Sequence, residues 1–129
     1  MLDHAGFPVS DFDASCAFYD AALGPLGIVR VMEVNLGAGH RACAYAREGE
    51  LPRFWFSTLG VSRGHLHLGF TARNRAEVAA FHTAAISTGG RDHGAPALRP
   101  EYHEHHFGAW VFDPDGNNIE AVADRKSVV

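Results

Sequence analysis

The chain has 129 residues, of which 47% are hydrophobic and 20% charged, a composition typical of one soluble globular domain. Its net charge is −4, which argues against a nucleic-acid-binding surface because such a surface needs clustered positive charge. No apolar run approaches the ~20 residues that span a bilayer, and the first residues lack the pattern of a signal peptide. Two cysteines, Cys16 and Cys43, are too few for a disulfide scaffold, so we expect buried reduced thiols in a cytoplasmic protein.

The chain contains an internal repeat. His4-Ala5-Gly6-Phe7 matches His67-Leu68-Gly69-Phe70 at an offset of 63 positions, and this offset gives eight identities between Leu2–Gly27 and His65–Gly90. Chance gives roughly one or two, so we interpret the match as a duplicated supersecondary unit. The expected organisation is a single domain over residues 1–129, with one module at about 1–60 and the second at about 61–125.

The first module is predicted to be β-α-β-β-β. Ser10 with Asp13 resembles a capping box that opens a helix, and Gly24-Pro25 ends it. An apolar stripe at helical spacing lies between them and consists of Phe12, Cys16, Tyr19 and Leu23. Strands are predicted at Leu2–Val9, Ile28–Val34, Arg41–Arg47 and Phe54–Phe56.

The second module is predicted to follow the same order. Asn74 caps its helix, and Glu77 completes the capping box. The segment between Arg91 and His106 resembles a loop with a short strand near Arg91–His93. The turn Asp113-Pro114-Asp115-Gly116 joins the last two strands. The other strands are predicted at His65–Thr71, Phe107–Phe112 and Asn118–Ala123, and the tail Asp124–Val129 is expected to fray.

Three residues are candidate metal ligands. Glu120 lies in the middle of a strand, where a carboxylate must be solvated on an outer face, paired, or bound to something. His4 and His67 occupy equivalent positions of the repeat, so their strands should lie in equivalent places. Two histidines and one carboxylate form a set that can hold a divalent ion with positions left open. Each histidine taken alone is more often a core or surface residue.

The repeated plan resembles the vicinal oxygen chelate superfamily, which includes glyoxalase I, bleomycin-resistance proteins and extradiol dioxygenases. Three stretches carry the resemblance, which covers nearly the whole chain. They are Asp3-His4 running to Val9-Ser10-Asp11, then His67-Leu68-Gly69-Phe70, and then Phe112-Asp113-Pro114-Asp115-Gly116-Asn117-Asn118-Ile119-Glu120.

The resemblance implies an α+β fold in which two β-α-β-β-β modules form an incomplete eight-stranded barrel around a metal. It places the metal ligands at His4, His67 and Glu120. The repeat offset places Ser57 where glyoxalase I has a further glutamate, which argues against true glyoxalase I activity. The metal would be Mn, Fe, Ni or Zn.

Further residues are candidates for substrate binding and proton transfer. A lyase or isomerase reaction needs a proton shuttle, and the histidine-rich segment from Tyr102 to His106 is the place to look for one. We select His103 as the shuttle, although a polar surface loop explains this segment equally well. Trp55, Ser57 and Tyr102 are the expected pocket residues, with Trp55 as an apolar wall or as core packing.

Two functions from different classes follow from these features. The first is a metal-dependent lyase, dioxygenase or thiol transferase that acts on a small molecule with two neighbouring oxygens. The second is a metal-free protein of the bleomycin-resistance type that sequesters its ligand. Members of the family often form homodimers, sometimes with ligands from both subunits, so His4 could serve the site of a neighbouring copy.

Overall fold

A computed structural model describes residues 1–124 of the chain and contains two modules, each with one helix and four strands. The elements of the first module are β1 (Ala5–Pro8), α1 (Phe12–Leu23), a 3-10 turn (Gly24–Leu26), β2 (Ile28–Gly37), β3 (His40–Arg47) and β4 (Phe54–Ser57). Those of the second are β5 (His67–Thr71), α2 (Arg75–Ser87), β6 (Arg91–Leu98), β7 (His106–Phe112) and β8 (Asn118–Asp124). The predicted α+β plan of two repeated β-α-β-β-β modules is therefore confirmed.

The two sheets have the same topology. The first has the strand order β1-β4-β3-β2 and the second has the equivalent order β5-β8-β7-β6. In each sheet the opening strand pairs in parallel with the last strand of its module, and the other pairs are antiparallel. Within residues 1–124 the two sheets remain separate and do not form a closed barrel.

The helices cover one face of each sheet and bury a common core. Phe18 of α1 and Phe81 of α2, which are equivalent in the repeat, are both fully buried. The aromatic part of this core comes mainly from the first module, where Tyr19 packs against Phe54 and Phe56 with ring centroids 5.1 and 5.3 Å apart. The remaining large core side chains include Phe7, Tyr45, Val78, Val111 and Ile119. The other face of each sheet is consequently left open.

Direct contacts join the two modules. The hydroxyl of Tyr19 donates a hydrogen bond to Oδ2 of Asp113 at 2.5 Å, and the rings of Phe54 and Phe70 meet edge to face at 5.1 Å. The side chain and backbone N–H of Ser10 both donate to Asp115. The Asp113–Gly116 turn of the second module is thus fixed against the start of the first.

The predicted start of the first module is wrong in two respects. The first strand is shorter than Leu2–Val9, so His4 precedes it. The helix is capped by Asp11, whose side chain accepts from the N–H of Ala14, and not by Ser10. Ser10 is occupied with Asp115, a long-range partner that local spacing does not reveal. In the second helix the expected Asn74 cap is confirmed, because Asn74 accepts from the N–H of Glu77. The expected capping box is wrong in its second half, because the Glu77 carboxylate accepts from the backbone N–H of Arg73, one residue before the cap.

The segment after α2 is also more regular than expected. Arg91–Leu98 forms a complete strand, although it contains Pro96. This strand lies at the sheet edge, where a missing N–H costs no ladder bond, and its pairing with β7 shifts register between Gly94 and Ala97. The tail was expected to fray from Asp124, but Asp124 is the last residue of β8, and residues 125–129 lie outside the described part of the chain. No helix among the described residues is long and apolar enough to cross a membrane.

The two cysteines are free and buried, as expected. Burial raises the pKa of the Cys43 thiol far above its ordinary value, and burial likewise raises the pKa of Cys16. A thiol that stays protonated is a poor nucleophile and a poor metal ligand. Neither cysteine is therefore a candidate for the chemistry of this chain.

Candidate functional site

Most of the candidate residues lie on the open faces of the sheets. Because side chains alternate along a strand and directly paired residues share a face, the ladder registers identify the members of each face. The first open face includes Gly6, Met32, Ala44, Trp55 and Ser57. The second open face includes His67, Gly69, His106, Gly108, Trp110 and Glu120.

Glu120 is the centre of the second open face. It lies on β8 with its side chain only 9% exposed, between two imidazoles. Nε2 of His67 lies 3.1 Å from its Oε1, and Nε2 of His106 lies 2.9 Å from its Oε2. A buried carboxylate needs such donors, because leaving it unpaired would cost several kcal/mol.

Glycines face this carboxylate from both neighbouring strands, and the one on β7 makes room for it. Gly69 pairs with Glu120 across the β5–β8 ladder, and a Cβ there would lie 3.8 Å from Oε1. Gly108 lies between His106 and Trp110 on β7, and a Cβ there would lie 2.9 Å from Oε2 and 3.4 Å from Nε2 of His106. The absence of a side chain at Gly108 therefore allows Glu120 and His106 to meet.

His106 was not among the residues selected from the sequence, because the predicted strand began at Phe107. The information needed to find it was present in the hairpin. The turn at Asp113–Gly116 pairs Phe112 with Asn118 and hence Trp110 with Glu120. Counting back in steps of two places Gly108 and His106 on the face of Glu120.

His4 lies in the first module, apart from this cluster. Its Nδ1 is 2.8 Å from the carboxylate of Asp3, and its side chain is 60% exposed. It lines a surface pocket together with Gly6 and Trp55, on the side of the first open face. Within residues 1–124, no three His, Cys, Asp or Glu side chains are arranged to hold a metal ion. The chain thus brings together His67 and Glu120 and leaves His4 elsewhere.

The structural equivalent of Glu120 in the first module is Trp55. Gly6 pairs with Trp55 as Gly69 pairs with Glu120, whereas Ser57 pairs with Pro8. The expectation that Ser57 occupies the equivalent position is therefore wrong, because the offset between the modules grows by two residues before their last strands. Both Trp55 and Ser57 line a pocket on the first open face.

The histidine-rich segment lies beside the second open face. The ring of Tyr102 lies 5.3 Å from that of His106 and 6.0 Å from that of Trp110. Nδ1 of His103 accepts a hydrogen bond from the N–H of His105. Of the histidines in this segment, His106 is the one that reaches Glu120.

The donors on the second open face fit part of a metal site. Imidazole nitrogen and carboxylate oxygen are the ligands that Zn, Fe, Mn and Ni accept, and the Nε2 atom of His67 faces Oε1 of Glu120 directly. His67 is 55% exposed on its side chain, so an ion has access from solvent. Because His106 is engaged with Oε2, a set of two histidines and one glutamate around Oε1 requires one further imidazole.

A family model and a solved structure identify the same protein family for this chain. Residues 1–121 match the family model described as Glyoxalase/Bleomycin resistance protein/Dioxygenase superfamily. No curated protein matches the chain. A glyoxalase/bleomycin resistance protein from Albidiferax ferrireducens T118 is 31% identical, with a TM-score of 0.74 over 97% of this chain and 99% of that one.

More distant structures share the fold. A glyoxylase/bleomycin resistance protein/dioxygenase domain from Frankia sp. EAN1pec is 18% identical, with a TM-score of 0.72 over 97% of this chain and 98% of that one. Glyoxalase I from Zea mays is 17% identical, with a TM-score of 0.70 over 93% of this chain and 44% of that one.

Proposed function

Because the chain belongs to the Glyoxalase/Bleomycin resistance protein/Dioxygenase superfamily, we propose that it is a metal-dependent enzyme acting on a small molecule with two neighbouring oxygens. The reaction class is that of a lyase, a dioxygenase or a thiol transferase. The observation that carries this proposal is the approach of His67 Nε2 to Glu120 Oε1 at 3.1 Å on an otherwise open sheet face. His67 and Glu120 are two of the proposed ligands of a Mn, Fe, Ni or Zn ion.

The third proposed ligand is His4 of a second copy of the chain. His4 lies beside the first open face, whereas His67 and Glu120 lie on the second. The first open face is apolar, and Val29 and Met32 remain 51% and 43% exposed on it. An apolar sheet face of this kind favours a protein partner. Packing it against the second open face of another copy would bury these side chains and bring an imidazole to the incomplete site.

The residues of the chain then have defined tasks. When bound, the ion acts as a Lewis acid that stabilises negative charge on the substrate oxygens. Trp55, which occupies the position equivalent to Glu120, supplies an apolar wall on the facing sheet. Tyr102 covers His106 at the edge of the site, and His103 next to it is the proposed proton shuttle.

A metal-free binding protein is the second candidate, and one observation favours it. The Glu120 carboxylate already has an imidazole at each oxygen, so its burial is compensated without a cation. In this alternative the two open faces enclose an organic ligand, and Trp55 and Trp110 provide aromatic surfaces for it.

Metal analysis separates the two candidates. Protein purified without a histidine tag should contain about one Mn, Fe, Ni or Zn ion per chain, and both His67→Ala and Glu120→Ala should abolish uptake. His82→Ala is the matched control, because His82 pairs with Asp92 at 2.8 Å on the helix-covered side of the second sheet. Failure of the wild-type protein to bind any added divalent ion would contradict the enzyme and favour the binding protein. If the protein binds a metal ion, the metal-loaded form would be screened against diol, hemithioacetal and epoxide substrates.

A further inference from the structure

The carboxylate of Glu120 is contacted from two sides, and the two contacts are not equivalent. Oε1 faces His67, whose side chain is 55% exposed, and Oε2 faces His106, whose side chain is 15% exposed. The exposed imidazole has access to an ion from solvent. The enclosed imidazole belongs to β7, the strand that pairs with β8 in the hairpin. The Tyr102 ring packs against it, with the two ring centroids 5.3 Å apart.

We infer that His106 is a positioning residue, which donates from Nε2–H to Oε2 of Glu120 and so presents only Oε1 to a metal ion. This inference rests on the proposed function, because it assigns a role to the partner of a proposed ligand. Hydrogen bonds to the free oxygen of a ligating carboxylate fix its orientation and leave one oxygen for the ion. The Nε2–Oε2 distance of 2.9 Å is that of an ordinary hydrogen bond.

Gly108 leaves the space in which this arrangement forms. His106 and Glu120 do not face each other directly in the ladder, since Glu120 pairs with Trp110 and His106 pairs with Asp124. Their side chains meet above Gly108, which lies between His106 and Trp110 on β7. A Cβ at Gly108 would come within 2.9 Å of Oε2, closer than real Cβ contacts allow. A methyl group at this position therefore tests the same contact without removing either partner.

The first test measures the contact in the metal-free protein. The carboxyl ¹³C signal of Glu120, assigned with Glu120→Gln, should shift in His106→Leu and Gly108→Ala. It should stay close to the wild-type position in His82→Leu, which removes a comparable imidazole–carboxylate pair on the other side of the sheet. An unchanged Glu120 signal in His106→Leu would overturn the inference, whether or not the protein binds metal.

The second test measures metal affinity by competition with a chelator and the ligand-field spectrum of the Co²⁺-loaded protein. We expect His106→Leu and Gly108→Ala to bind Co²⁺ about 10- to 100-fold more weakly than the wild type and with an altered spectrum. His106→Gln, which keeps an N–H donor, should recover most of the affinity, and His82→Leu should bind normally. Thermal unfolding of each variant would establish that it is folded.

Two results of the second test would overturn the inference. Wild-type affinity in His106→Leu would show that the contact does not position the carboxylate. A loss as complete as that of Glu120→Ala, without recovery in His106→Gln, would identify His106 as a direct ligand. A wild-type protein that takes up no Co²⁺ would refute the proposed metal function instead, and the carboxyl signal would still decide whether His106 holds Glu120.

Discussion

Two of the buried carboxylates, Asp113 and Glu120, have different partners. Asp113 accepts hydrogen bonds from the backbone N–H groups of Asp115 and Asn117, from the Asn117 amide and from the Tyr19 hydroxyl. These donors are neutral and do not bind metals, so Asp113 is suited to holding the turn. Glu120 is contacted by two imidazoles, which are metal-binding groups. Because of this difference in partners, we assign a structural role to Asp113 and propose metal binding for Glu120.

Replacing Tyr19 with phenylalanine tests the structural role of Asp113. The substitution removes the buried donor to Oδ2 and should lower the free energy of unfolding by about 1–3 kcal/mol. Burial beside Asp113 raises the pKa of Tyr19 well above its ordinary value, so its hydroxyl keeps its proton at neutral pH. Urea unfolding would measure the change, with exposed Tyr102→Phe as the control. A Tyr19→Phe protein as stable as the wild type would show that this bond contributes nothing net.

At the scale of elements, the start of α2 combines several interactions. Asn74 caps the helix, and the Glu77 carboxylate accepts from the backbone N–H of Arg73 at 2.9 Å and from its guanidinium at 2.6 Å. Burial raises the pKa of Glu77, but the hydrogen bonds from Arg73 and its charge outweigh that effect. The resulting pKa lies below the ordinary value of 4.5.

The lowered pKa of Glu77 predicts a pH dependence of stability. A carboxyl group whose pKa is lower in the folded state stabilises the fold above its unfolded pKa, and this contribution is lost as pH falls through the folded value. The free energy of unfolding of the wild type should therefore fall more steeply below pH 4.5 than that of Glu77→Gln. Urea unfolding at a series of pH values would measure both slopes. Equal slopes would contradict the prediction, and the exposed Glu50→Gln should follow the wild type.

Much of the element order could be predicted from the sequence, because it depends on local pattern and on the repeat. The apolar stripe of α1 and the cap of α2 each depend on residues that are close together in the sequence. The cap of α1 could not be predicted correctly, because Ser10 donates hydrogen bonds to Asp115, which is 105 positions away in the sequence. The edge strand was predicted only near Arg91–His93, and its extension to Leu98 was missed. Its proline is tolerated only at a sheet edge, and the sheet order is not visible in the sequence.

The site was harder to predict than the fold. His67 and Glu120 were brought together as expected, since the opening strand of a module pairs with its last strand. His4 was placed with them on the basis of the repeat, which relates the modules but does not say which faces meet. The contact between His106 and Glu120 depends on Gly108, which leaves the space between the two side chains. Finding it requires the register of β7 against β8, which periodicity alone does not show.

At the scale of the whole molecule, the shared core of α1 and α2 leaves both open faces available for a partner. We predict a homodimer in which the first open face of one copy covers the second open face of another. Met32→Glu places a charge on that apolar face and should shift sedimentation towards the monomer and reduce metal uptake. Ile86→Glu is the control, because Ile86 is an exposed apolar residue on α2. A Met32→Glu protein that stays dimeric would contradict this arrangement.

The most direct measurement is the metal content of a heterodimer of two defective chains. His4→Ala and Glu120→Ala chains, carrying different tags without histidine, would be co-expressed and the mixed dimer isolated. In that dimer one site lacks both residues and the other is intact, so about one ion should bind per dimer, roughly half the wild-type content. Each parent homodimer should bind essentially none. A mixed dimer that binds no more metal than its parents, or full binding by His4→Ala alone, would contradict a site shared between two copies.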